Sequence, residues 1–191
     1  QFLYSEDGGV GSRVTRRYDS HIAKPDGADC SAEDAGEQWP EYCVGPSTIE
    51  PLILQAFEAG IAGDRPDHQA ARIEAGLLWF YYVSTYKEAN TCAGKAKDCD
   101  SAWAYYSGGV QAGETALGLA GRVQAVDEEA HSAIFNAILG LRCWRDHDNA
   151  EVSEDPDMHA KALGLIDPAL DHGLALVLAD RLQSPDENDW S

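Results

Sequence analysis

Cysteine placement constrains this chain more than any other feature. Cys30 and Cys43 bracket a polar stretch with no helical periodicity, and Cys92 and Cys99 bracket the short linker Ala93 to Asp98. Each pair closes a short loop that a disulfide spans with little native strain, which fits a protein matured in an oxidising compartment. Four cysteines permit three connectivities and the fifth widens the choice, so pairing Cys30 with Cys43 and Cys92 with Cys99 rests on loop length alone. Cys143 is then left on a predicted helix, as a free thiol or an intermolecular partner. The start at Gln1 suits a mature product freed of a signal peptide. The expected location is secreted, periplasmic or cell-surface.

The 191 residues suffice for one good-sized core, and one domain is expected. A formal net charge of −19 argues against nucleic-acid phosphate and anionic membranes as partners and leaves cations as the natural ones. The same charge also describes a heavily hydrated surface. Apolar windows are interrupted by Glu74, Arg142 or Asp171, so no membrane insertion is expected. The triplet Asn90-Thr91-Cys92 does not indicate ordinary N-glycosylation.

The periodicity is helical throughout, and no segment alternates as a strand does. Residues 1–46 are expected as an irregular arm pinned by Cys30 and Cys43 and packed on the core. Ser47-Thr48-Ile49-Glu50 reads as a capping box that opens a helix through Ile53, Ala56 and Ile61, ended by Gly60 and Gly63. Asp64 and Pro66 open a second helix near 65–91, whose dense aromatic run from Trp79 to Tyr86 predicts a central position. Asp98 or Asp100 is expected to cap a third, closed by Gly108-Gly109. A fourth spans about 122–145. The acidic segment Asp146 to Asp157 reads as a solvated loop, without the glycine of a helix-loop-helix calcium site. A last helical region, 157–183, is expected to break or kink at Asp167-Pro168 and to bury its apolar run Gly173 to Ala179. Residues 184–191 read as a tail. The predicted fold is an all-α, up-and-down helical bundle over 47–183 with a disulfide-pinned N-terminal arm.

Among side chains that carry chemistry, Glu128 and His131 stand three residues apart on one helical face, the spacing by which bundles present a carboxylate and an imidazole to a metal. Asp127 adds a neighbouring carboxylate, and the same cluster also reads as an ordinary acidic first turn. No second Glu-x-x-His motif occurs, which argues against a ferritin-type di-iron site. Glu74, set among aromatics, requires an internal ion pair or a metal, because an isolated buried charge is costly. His172, beside Asp171, is a further candidate ligand. His159 reads as a rim histidine. The sequence carries no nucleophile motif, phosphate loop or zinc-type cysteine spacing, and no enzyme is expected.

The segment Asp100-Ser101-Ala102-Trp103-Ala104-Tyr105-Tyr106-Ser107-Gly108-Gly109, with the helical architecture from residue 47 onward, resembles the low-iron-inducible periplasmic (iron-assimilating) proteins. A second, weaker likeness is to the imelysin-type iron-uptake proteins, whose Gly-x-His-x-x-Glu motif is missing here. Both resemblances imply extracytoplasmic iron acquisition through carboxylate-rich coordination. The expected function is thus an exported metal-binding protein, with iron as its metal ion, bound through Glu74, Asp127, Glu128, His131 and His172. The alternative is a non-catalytic interaction or structural subunit that docks a protein partner or a second copy of itself.

Overall fold

A computed structural model of the chain describes residues 9–111, 113–146 and 154–183. Among these residues there are eight α-helices and no strand, and the two loop-closing disulfides, Cys30–Cys43 and Cys92–Cys99, are both formed. Such cross-links are commonest in chains that mature in an oxidising compartment. Two compact units divide at Val83 and Ser84.

The first unit begins with two short helices in the arm, α1 (Val10–Val14) and α2 (Ala35–Gln38). Cys30 and Cys43 form a small core of their own with Ala28, Ala35 and Tyr42, against which Tyr18 and Trp39 pack. A π-helical turn over Gly45–Ile49 leads directly into α3 (Glu50–Ile61). The expected capping box is not formed. The Ser47 amide already donates to the Cys43 carbonyl, so the chain is winding before Ser47, and the Ser47 hydroxyl donates to Pro40 O at 2.7 Å. The reason lies upstream, where the Gly45 amide donates to Arg17 O at 2.8 Å and an added Cβ would sit 2.0 Å from Val14 O.

The end of α3 follows its sequence signal. Gly63, at φ +85°, donates to Gly60 O while Asp64 donates to Ala59 O, the paired bonds of a Schellman cap. Helix α4 (Pro66–Thr91) starts with Pro66, whose missing N–H costs nothing in a first turn. Its four consecutive residues Tyr82 to Thr85 are all buried, whereas its first turns are largely exposed and Trp79, Tyr81 and Tyr86 are only partly buried, so the helix is not enclosed along its whole length.

Within the second unit, the Cys92–Cys99 bridge joins the end of α4 to the first turn of α5 (Ala96–Ser107). Neither Asp98 nor Asp100 caps that helix, which starts at Lys95. Asp98 is buried, and its carboxylate instead accepts the Thr91 hydroxyl at 2.6 Å. Gly108, in the left-handed region at φ +69°, closes α5. The single helix expected over 122–145 is two, α6 (Gly118–Val126) and α7 (Glu128–Asp146). Asp127 is extended between them and accepts the Ala130 amide at 2.9 Å, so its side chain is an N-cap.

Helix α8 (Pro156–Gln183) packs along α7 and also meets α6. It is opened by Asp155, whose carboxylate accepts the Met158 amide at 3.2 Å. No break occurs at Pro168. The carbonyl deprived of its donor, that of Gly164, lies at an exposed position, open to solvent. The run Gly173 to Ala179 is also not buried as a block, since only Gly173 and Val177 are buried and Leu178 is 53 % exposed. Helix α8 is long and apolar enough to cross a membrane by length and composition, a stretch that the two aspartates at 167 and 171 do not interrupt sufficiently to disqualify. Of the acidic segment Asp146 to Asp157, residues 147–153 lie outside the described residues, as does the tail 184–191, while Pro156 and Asp157 already belong to α8.

Candidate functional site

The five expected ligands do not converge. Glu74 lies half-buried on α4 in the first unit, whereas Asp127, Glu128, His131 and His172 belong to the second. Asp127 is committed to capping α7. His172 is exposed on α8. Among the described residues, no three His, Cys, Asp or Glu side chains come together as a metal-holding group.

The helical phase does bring Glu128 and His131 onto one side of α7. Glu128 is exposed in the first turn, while His131, one turn further, is buried at 7 % exposure. The imidazole Nδ1 lies 3.1 Å from the hydroxyl of Tyr106, a fully buried residue of α5. Phe135 tilts against the same ring at 5.5 Å between centroids, and Trp103 packs on Phe135 at 4.2 Å. Arg142 covers Trp103 at 4.9 Å and pairs with Asp100 at 3.1 Å. Helix α5 thus supplies Tyr106 directly to the histidine and Trp103 to the layer behind Phe135.

Burial lowers the His131 pKa below the usual histidine value, partly opposed by the Glu128 carboxylate. Burial, reinforced by Glu128, drives the Tyr106 hydroxyl far above its ordinary range. Both rings are therefore neutral at pH 7, and their shared bond has two forms. With Tyr106 donating, the proton of the imidazole is on Nε2. With Nδ1–H donating to the Tyr106 oxygen, Nε2 carries a lone pair, the form that a cation requires.

A second His cluster lies in the arm, at a residue the sequence reading passed over. Asp19 accepts from the His21 backbone amide at 2.9 Å and lies 2.6 Å from its Nδ1. The His21 ring stacks on Tyr82, with centroids 5.8 Å apart. An Asp-x-His run in a region without periodicity is an Asx-turn signature, and it was the available signal. Cys143 is a free, exposed thiol on α7.

No family model matches the chain, and neither does any curated protein or solved structure.

Proposed function

We propose that the chain is an exported cation-binding protein, acting in the periplasm, at the cell surface or outside the cell, and that iron is its metal. The observation carrying this reading is the Glu128/His131 pair on α7, with the imidazole oriented through Nδ1 by Tyr106 as metal-bound histidines are oriented through their second nitrogen. Glu128 supplies a hard oxygen and His131 a nitrogen, a combination suited to ferrous iron or zinc. Two protein ligands leave the remaining coordination positions to water or to the form in which iron is presented. The likeness of residues 100–109 to iron-assimilating proteins supports iron over zinc. Because both ligands must be deprotonated, affinity falls on acidification.

Elemental analysis of protein purified without chelators tests the reading. Near-stoichiometric iron is expected, lost in Glu128→Gln and His131→Ala. Protein that is metal-free, and stays so after dialysis against iron, zinc, manganese and calcium, overturns it.

A second reading, a non-catalytic interaction subunit, is favoured by one observation. Leu165, Leu178 and Leu182 of α8 are exposed at 52 %, 53 % and 80 %, more apolar side chain than a solvated helix face needs to show. Light scattering of the wild type and Leu178→Lys distinguishes the two readings, since only the interaction reading expects self-association that the substitution abolishes or a partner whose binding it weakens.

A further inference from the structure

His159 ends the first turn of α8 and is 7 % exposed. Its ring meets the edge of Trp144 on α7 at 4.6 Å between centroids, and Trp144 is fully buried with its indole N–H donating to Asp155 O at 3.1 Å. The Nε2 of His159 has no hydrogen-bond partner among the described residues. Trp144 therefore links the end of α7 to the beginning of α8 through Asp155 and through the His159 ring, and the second link is an imidazole.

We propose that His159 is an acid-sensitive latch: neutral, it closes the Trp144 end of the α7–α8 pair, and protonated, it loosens that end while the remainder of the second unit stays packed. The described charges near the ring are engaged elsewhere or exposed, Glu154 in the turn before α8 among the exposed ones. On its own helix, Asp155 is engaged with the Met158 amide, while Asp157 and Lys161 are exposed. On α7, Arg145 donates to Ala93 O, Arg142 pairs with Asp100, and Asp146 and Cys143 are exposed. Helix α6 meets α8 at Gly173, beside Val123, 14 residues beyond His159 (173 less 159) and so about 21 Å along the helix. Among the described residues, an added proton thus meets no hydrogen-bond partner at Nε2, in a buried site. Burial accordingly lowers the His159 pKa below the usual 6.5.

The sign follows by linkage. Above pH 6.5 the ring is neutral whether the latch is open or closed, and nothing is lost. Below it the open form takes up the proton first, so the opening constant rises by up to about tenfold per pH unit until the closed form titrates too. The test is hydrogen exchange on the whole chain from pH 7.5 to 5, corrected for intrinsic rates. Peptides at the start of α8 and the end of α7 are expected to lose protection below pH 6.5 in the wild type and to keep it in His159→Phe, which retains a ring against Trp144 but cannot titrate. An equal loss in His159→Phe overturns the proposal. Should that variant misfold, the proton NMR titration of His159 in the unmodified chain decides: a midpoint below 6.5 supports the latch, and one at or above 6.5 overturns it.

Discussion

The Tyr106 hydroxyl and His131 Nδ1 are 25 residues apart in sequence and 3.1 Å apart in space, and they form a buried polar link between α5 and α7 in a surrounding of rings. Neither group reaches its partner by local geometry. The link exists because Gly108 ends α5 and Asp127 starts α7 at positions that bring the two helices side by side.

Removing that hydroxyl with Tyr106→Phe strands a buried nitrogen without creating a cavity. A loss of about 1–2 kcal/mol is expected, the cost of an unmade buried hydrogen bond. Urea denaturation, read as a shift in midpoint at constant slope, checks it. If the hydroxyl orients the imidazole for a cation, iron stoichiometry falls in the same variant.

The disulfides should contribute according to the loops they close. With separations of 13 and 7 residues, replacing both cysteines by alanine is expected to cost about 3 kcal/mol for Cys30–Cys43 and about 2.5 kcal/mol for Cys92–Cys99. Denaturant titrations of the two double variants measure these losses, and a large excess in the second pair would point to the neighbouring Thr91–Asp98 bond as a coupled element.

Two glycines should respond in opposite directions to alanine. At Gly45 the new Cβ would lie 2.0 Å from Val14 O and 2.7 Å from Arg17 N, both backbone atoms, so Gly45→Ala is expected to destabilise the first unit by about 3 kcal/mol or more. At Gly164, within α8, the Cβ meets nothing within 4 Å. Gly164→Ala should therefore stabilise by roughly 0.5–1 kcal/mol through helix propensity. Thermal melts of the two variants provide the comparison.

Asp29 gives a pH signature for the arm. Its Oδ1 accepts both the Ser31 hydroxyl at 2.6 Å and the Ser31 amide at 2.9 Å, and these bonds hold its carboxyl below 3.8. A depressed carboxylate stabilises above its unfolded value and loses that contribution as pH falls through the folded one, here below pH 3.8. Ser31→Ala should raise the Asp29 midpoint in a carboxyl NMR titration, and an unchanged midpoint would show that the hydroxyl is not the main cause.

What the sequence conveyed best was local chemistry with few competitors. Gly63 and Gly108 stop helices because positive φ suits no other residue as well, and short cysteine loops leave little freedom of pairing. Aspartates were harder, since one side chain serves as cap, ligand or buried acceptor. Asp127 interrupts a stripe in which Val123, Ala130, Ile134 and Leu141 remain buried on both sides of the break, so periodicity ran on across a real helix end. Asp98, expected at an N-cap, is taken by Thr91. At Pro168 the helix runs on without a break, with the unpaired Gly164 carbonyl at an exposed position. The candidate site was legible only as a pair: spacing showed Glu128 and His131, while Tyr106, which orients the imidazole, comes from another helix and leaves no mark on the spacing.

The two cross-links also bear on what a protease can do to the chain, since proteases act on exposed backbone. Glu33, Asp34, Gly94 and Lys95 all lie between bonded cysteines, in stretches open to attack. A cut at any of them severs the main chain but frees no fragment, because the bridge holds both new ends at the site of the nick. Such a molecule would run as two pieces on a reducing gel and as one on a non-reducing gel.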